Sequence, residues 1–173
     1  MVPRKIFLQT VVYGDDHTVF CADFSDNMLA SVRDVIETEK IQSITLHKLC
    51  WQEDWDKHDL PVSDMAFASR CMFGIDPDES VVKLSGRAKR KVCITLPVNA
   101  SMFQEPGSPY SLGSTDEMNA FADACIDAAK RIGFQPDCKY MSSLGRDESR
   151  WLFISWEVFK GQPAPADLQA KSD

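Results

Sequence analysis

At 173 residues, 44% of them hydrophobic and 26% charged, the chain has the composition of a globular protein with enough apolar side chains for one core. Its formal net charge of −7 argues against nucleic-acid binding by the whole surface. No apolar run approaches the ~20 residues that cross a bilayer, which excludes a membrane-spanning helix and leads us to expect no membrane partner.

The N-terminal third of the chain shows two predicted strands, a helix and another strand. Residues 4–13 and 17–24 are rich in β-prone side chains and are separated by a Gly-Asp-Asp cluster, which predicts a hairpin. Ser25 can cap a helix that runs to about residue 40, where apolar side chains recur at three- and four-residue spacing. Residues 41–51 then return to a strand pattern.

The middle of the chain is predicted to contain a short helix and a hairpin. Ser63 can cap the short helix, and Gly74 is well placed to end it. Strands are predicted over residues 80–84 and 91–97, and the second alternates most clearly between apolar and polar side chains. A basic turn joins these two strands.

A long loop precedes the strongest helix signal in the chain. Residues 99–113 form the longest irregular stretch, and loops of this length inside a compact domain are often functional. The following helix, over residues 115–132, begins with a capping box of Ser114 and Glu117. Its apolar stripe is predicted to lie in the core and includes Phe121, Cys125 and Ile126.

The last predicted unit is a hairpin of residues 135–142 and 150–160, in which Leu152, Ile154 and Trp156 are expected to be buried. The order of elements predicts an α+β fold: a mostly antiparallel sheet of about six to seven strands, with two long helices and one short helix. The order also allows two related ββαβ-like halves. Strands and helices alternate too irregularly for a doubly wound parallel sheet. We expect a single domain over residues 1–160 and a flexible tail over residues 161–173.

Six cysteines stand singly in the sequence, without a C-x-x-C pair. Each lies in or beside a segment with a strand or helix pattern, where a cysteine behaves as a small hydrophobic residue. We therefore predict reduced, mostly buried thiols and a cytoplasmic protein.

The sequence carries none of the common catalytic or phosphate-binding signatures. It has no Walker A motif, no G-x-G-x-x-G, no H-E-x-x-H and no G-x-S-x-G. His47, Cys50 and His58 lie close together along the chain, but a three-residue offset on a strand points His47 and Cys50 to opposite faces. A nucleophilic pair of Cys50 and His58 has no evident orienting group. We predict no catalytic residue, no metal site and no cofactor.

A Trp-flanked acidic loop is the most distinctive surface feature. Its predicted partner-binding residues are Glu53, Asp54, Trp55, Asp56 and Asp59. A tryptophan contributes a large contact area, and carboxylates steer a basic partner, so the loop suits protein binding. The same pattern also arises when the tryptophan is buried and the acids are simply solvated.

The basic turn over residues 83–91 carries a charge opposite to that of the acidic loop. Its candidate anion-binding residues are Arg87, Lys89, Arg90 and Lys91. They suit phosphate or a nucleic-acid backbone, although no aromatic side chain is interleaved to stack on a base. Lysines also protect the edges of sheets without binding anything.

These features favour a non-enzymatic, acidic interaction protein that binds a protein with a basic surface. Small inhibitors and immunity-type proteins, including those of mobile elements, have this character. The alternative is a small enzyme or ligand-binding domain with a pocket under the loop of residues 99–113. Nucleic-acid or phosphate contact through residues 83–91 is the third hypothesis.

Overall fold

The structure is a computed structural model that describes residues 18–69, 71–72, 74–99, 114–143 and 146–158. The chain divides into two compact units, Met1–Asp59 and Leu60–Asp173. The first contains the order β-α-β and the second the order β-α-β-α-β-β. A single domain over residues 1–160 stays a prediction, and the expected tail lies outside the described residues.

A parallel β-α-β motif forms the described part of the first unit. It consists of β1 (Val19–Asp23), α1 (Asp26–Glu39) and β2 (Ile44–Lys48). The two strands pair in parallel. The Oγ of Ser25 accepts the N–H of Met28 at 3.4 Å and caps α1, as the sequence predicts. The other strand of the expected first hairpin, residues 4–13, lies outside the described residues.

The second unit is built on one four-stranded mixed sheet. Its elements are β3 (Ser63–Ser69), α2 (Pro77–Gly86), β4 (Ala88–Asn99), α3 (Thr115–Arg131), β5 (Asp137–Ser143) and β6 (Arg146–Glu157). The strand order is β3-β4-β6-β5. β3 runs parallel to β4, whereas β6 is antiparallel to both of its neighbours. The predicted helix over residues 115–132 and the C-terminal hairpin are confirmed.

The core of the second unit is concentrated along β4 and β6, the two central strands of this sheet. Pairs of apolar side chains face each other across β4 and β6, each with 0–1% exposure: Val92 with Trp156, Ile94 with Ile154, and Leu96 with Leu152. On α3 the buried stripe runs through Met118, Ala122, Cys125, Ala128 and Ala129.

Two residues of α3 that we expected in the core are less buried than predicted. Phe121 and Ile126 are only half-buried. They lie beside the buried stripe of the helix and not within it. Cys125 is buried, as the apolar pattern predicts.

Two element assignments in the middle of the chain are wrong. Residues 63–69 form a strand and not a helix, because their backbone pairs with β4. Residues 80–84 belong to a helix and not to a strand: Asp76 caps α2, and Pro77 occupies its first turn. The supposed basic turn is accordingly the end of α2 and the start of β4.

These two errors explain the difference in sheet topology. The α+β class is confirmed, as is the set of two longer helices and one short helix. The sequence predicted a helix followed by a hairpin over residues 63–97. The structure instead has a strand, a helix and a parallel strand there, which is a β-α-β crossover. The pairing of β3 with β4 is therefore parallel, as is the separate pairing of β1 with β2, and the order β-α-β-α-β-β of the second unit does not match a ββαβ half. Among the described residues, no helix is long and apolar enough to cross a membrane.

Candidate functional site

The Trp-flanked acidic loop follows β2 and contains a short 3-10 turn, Trp55–Lys57. Trp55 is buried, with 9% exposure. Its Nε1 donates to the carbonyl oxygen of Cys50 at 3.0 Å, and its ring centroid lies 4.9 Å from that of Trp51. Trp55 therefore anchors the loop itself and is not available as an exposed contact for a partner.

Two of the acidic side chains also serve the structure of the loop. Glu53 Oε2 accepts the backbone N–H of Cys50 at 3.2 Å and lies 3.2 Å from Nε2 of His58. Asp54 accepts the N–H of Asp56 at 3.1 Å, which caps the 3-10 turn. These bonds fix the two carboxylates locally.

The two remaining acidic residues of the predicted partner surface, Asp56 and Asp59, are exposed. With Trp55 buried, however, the surface lacks the exposed aromatic contact on which the prediction depended. The acids alone would contribute steering of a partner but little buried contact area.

His47, Cys50 and His58 do not form a common site. The thiol of Cys50 donates to Oε1 of Gln52 at 2.7 Å, whereas His58 pairs with Glu53. Nε2 of His47 is buried without a hydrogen-bond partner. No group of three or more His, Cys, Asp or Glu side chains in the described part of the chain is arranged to hold a metal ion.

The basic residues of segment 83–91 are divided between two elements. Arg87 is half-buried and donates from Nη1 to the carbonyl oxygen of Leu60 at 3.1 Å. Lys91 pairs with Glu157 at 3.4 Å. Lys89 and Arg90 are exposed at the start of β4. The candidate anion-binding set thus includes two residues with structural or ionic partners, which weakens the prediction of a phosphate site.

An acid outside the predicted sites, Asp23, lies at the carboxyl end of β1. In open α/β sheets, ligands bind beyond the carboxyl ends of parallel strands. Asp23 is the last residue of β1 and is half-buried. Its Oδ1 accepts the N–H of Ser25 at 2.8 Å, which fixes the carboxylate beside the start of α1. Phe24 follows it with 68% of its surface exposed.

The last residue of β3, Ser69, lies opposite Thr95 of β4, and their hydroxyl groups form a pair. Thr95 is buried, with 3% exposure, and its Oγ1 donates to Oγ of Ser69 at 2.7 Å. Residues 100–113, which follow β4, lie outside the described residues. The predicted pocket beneath the loop of residues 99–113 therefore stays a prediction.

Sequence reasoning missed Asp23 because it treated residues 17–24 as half of a hairpin. The available signal was an acid at the end of an apolar strand, two residues before a helix N-cap. Without a neighbouring glycine-rich turn, that signal is shared by many unrelated strand-to-helix connections.

Comparison of the sequence with known proteins gives one partial match. No family model matches the chain. An uncharacterised protein from Haemophilus influenzae is 29% identical over 99 residues, which make up 57% of this chain and 36% of that protein. The chain thus spans little more than a third of this relative's length.

Comparison of the structure is more informative. A precorrin-6y C5,15-methyltransferase from Geobacter metallireducens gives a TM-score of 0.55 at 15% identity, covering 80% of this chain and 66% of that one. A SAM-dependent methyltransferase from Aquifex aeolicus also gives 0.55, at 13% identity, covering 82% and 69%. The chain shares the fold of these methyltransferases. A Streptococcus mutans protein solved in complex with SAH gives 0.51 at 14% identity, covering 80% and 76%.

This result corrects the functional hypothesis drawn from the sequence. The prediction of a non-enzymatic inhibitor- or immunity-type protein is wrong, because the structures that share the fold are methyltransferases. The alternative of a small enzyme or ligand-binding domain agrees better with them. The error arose because net charge and loop composition describe the surface and carry no information about topology.

Proposed function

We propose that the chain is the cofactor-binding part of an enzyme that transfers a methyl group from S-adenosylmethionine (SAM). The observation that carries this proposal is Asp23, a fixed carboxylate at the carboxyl end of the first strand in a parallel β-α-β motif. The shared fold with a SAM-dependent methyltransferase supports it. When bound, SAM supplies a methyl group made electrophilic by the positively charged sulfur.

Asp23 fits the ribose of this cofactor. In doubly wound folds an acid near the carboxyl ends of the parallel strands accepts hydrogen bonds from ribose hydroxyls. A carboxylate has about four acceptor positions, and the N–H of Ser25 uses one of them in this structure. The half-buried carboxylate can therefore accept two hydroxyl donors while its orientation stays fixed.

Phe24 supplies an apolar surface beside this acid. It is the most exposed of the large hydrophobic side chains described, at 68%. A solvent-exposed phenyl ring of this kind offers a stacking surface for a planar base. Asp23 and Phe24 thus present the two kinds of contact, polar and aromatic, that an adenosine group requires.

Calorimetric titration of the full chain with S-adenosylhomocysteine tests the proposal. We expect Asp23→Asn to weaken binding by about tenfold to a hundredfold, because it removes a charged hydrogen-bond acceptor. Asp26→Asn is the matched control, since Asp26 is an exposed acid three residues away that pairs with Lys48 on the surface. It should leave the affinity nearly unchanged.

The proposal would be overturned if the unaltered chain failed to bind S-adenosylhomocysteine. It would also be overturned if the two asparagine variants bound it equally well. Circular dichroism of each variant establishes that the fold is retained, so that a loss of binding reports on the contact itself.

We also propose that the protein works in a reducing compartment such as the cytoplasm. No two of the six cysteines form a disulfide. Two of them, Cys71 and Cys138, are exposed, and only Cys125 is buried, which corrects the expectation of mostly buried thiols. Exposed cysteines stay out of disulfides most readily where the surroundings keep thiols reduced.

A further inference from the structure

The strand β5 lies at an edge of the four-stranded sheet. Among the described strands it pairs with β6 alone. Residues 137–141 are all exposed, including Tyr140 at 64% and Met141 at 45%. Such an edge presents unpaired backbone N–H and C=O groups and is a template for pairing with another chain.

Symmetry restricts how two copies of β5 can pair. A two-fold axis perpendicular to the sheet makes the strands antiparallel and keeps each side chain on its own face. Residues that lie opposite each other must therefore be an even number of positions apart in sequence. Each allowed register is then centred on one residue, which lies opposite its own copy.

The charges on β5 distinguish between these registers. Centring on Cys138 places Asp137 opposite Lys139 of the second copy, and the symmetry repeats this opposite-charge pair. Centring on Lys139 instead places two lysines opposite each other, which is unfavourable. Centring on Tyr140 places Lys139 opposite Met141 and forms no ion pair.

We propose that β5 is an interface through which two copies of this chain associate, antiparallel and centred on Cys138. Opposite-charge pairs of Asp137 with Lys139 of the second copy select this register. The proposal is independent of methyl transfer and of any cofactor.

The other edge of the same sheet is less suited to self-association. β3 carries one charged residue, Asp64, so two copies of it can form no opposite-charge pair in any register. Its exposed Met65 and Phe67 provide apolar area without selecting a register. Of these two edges, β5 is therefore the one whose charged side chains are complementary to those of a second copy.

This interface is small, and we expect a weak dimer that forms at high protein concentration. Pairing of one short strand buries less than the roughly 1,200 Å² at the lower limit of stable interfaces. Sedimentation over a range of concentrations should show a reversible monomer–dimer equilibrium.

Oxidation with diamide tests the register directly. Diamide takes up two electrons and two protons from a pair of thiols, which join as a disulfide. Opposite residues of antiparallel strands have Cα atoms about 4.5 or 5.5 Å apart, within the range for a disulfide. Partial burial and the charge of Asp137 raise the pKa of the Cys138 thiol, so the reaction is run at alkaline pH.

We expect a covalent dimer that is lost in Cys138→Ser and retained in Cys71→Ser, the other exposed cysteine. In the register centred on Tyr140, the two Cys138 positions lie about 14 Å apart along the strand and cannot be joined. A reversible dimer without this crosslink would therefore overturn the proposal, as would a chain that stays monomeric at every concentration.

A charge exchange tests the ion pairs separately. Lys139→Asp places like charges opposite each other and should weaken association by at least about fivefold. Adding Asp137→Lys restores opposite charges in reversed order and should restore the dimer. If the double variant associates no better than Lys139→Asp alone, these side chains do not select the interface.

Discussion

Two serines on the same helix, α2, differ in their hydrogen bonds. Ser80 is fully buried, and its Oγ has no hydrogen-bond partner. Ser85 is half-buried and accepts a hydrogen bond from Nε1 of Trp156 at 3.0 Å. A buried hydroxyl without a partner loses its hydration and gains no hydrogen bond in return, so its burial is unfavourable. Removing one member of a hydrogen-bonded pair is also unfavourable, because it leaves the other member without a partner.

We therefore expect opposite effects of alanine at these two positions. Ser80→Ala should leave the free energy of unfolding unchanged or raise it by up to about 1 kcal/mol. Ser85→Ala should lower it by about 1–2 kcal/mol, because the indole N–H of Trp156 loses its acceptor. Urea unfolding of the two variants measures both values, and equal destabilisation would contradict the assignment of these hydrogen bonds.

Among the secondary structure elements, α3 has the most complete N-terminal cap. Oγ of Ser114 accepts the N–H of Glu117 at 3.2 Å, and Oε2 of Glu117 accepts the backbone N–H of Ser114 at 2.7 Å. Hydrogen bonds from the backbone and side chain of Ser114 lower the pKa of Glu117 below its ordinary value. A carboxyl group whose pKa is lowered on folding stabilises the protein above its unfolded pKa, and this contribution is lost as the pH falls through the folded pKa.

We expect Ser114→Ala to lower the free energy of unfolding by about 1 kcal/mol at neutral pH. The difference in the free energy of unfolding between this variant and the unaltered protein should become smaller at acidic pH, once Glu117 is protonated. Ser31→Ala on α1 is the control, since its exposed hydroxyl donates within the helix to the carbonyl oxygen of Asn27. Chemical unfolding at several pH values should show no comparable pH dependence for that control.

For the whole molecule, buried side chains are concentrated on the central strands of the second unit. β4 and β6 each have neighbours on both sides and carry apolar side chains with 0–1% exposure. In the first unit, β1 and β2 form a two-stranded sheet among the described strands. Local stability follows this density of buried contacts.

We expect backbone amides of β4 and β6 to exchange hydrogen most slowly, because opening them requires the largest loss of buried area. Amides of β1 and β2 should exchange faster. Hydrogen–deuterium exchange followed by mass spectrometry compares peptides from these strands. Equal protection of the two sheets would contradict this expectation.

Local signals in the sequence predicted several elements correctly. Ser25 and Ser114 act as helix caps because a cap depends on a side chain and a backbone N–H only three residues apart. The hairpin of β5 and β6 was predicted because its strands are close neighbours along the chain. The position of α2 was missed although Asp76 and Pro77 carry an ordinary helix-start signal, since the β-prone side chains that follow them suggested a strand.

The sequence alone determined the α+β class, the caps of α1 and α3 and the overall charge, because each depends on composition or on contacts between near neighbours. Only the tertiary structure decided that β1 pairs in parallel with β2 and β3 with β4, since these pairings join residues about 25 positions apart. The same long-range pairing places Asp23 at the carboxyl end of the parallel pair of β1 and β2. This position is not encoded in the immediate neighbours of Asp23, because the edge of a sheet exists only once its strands have paired.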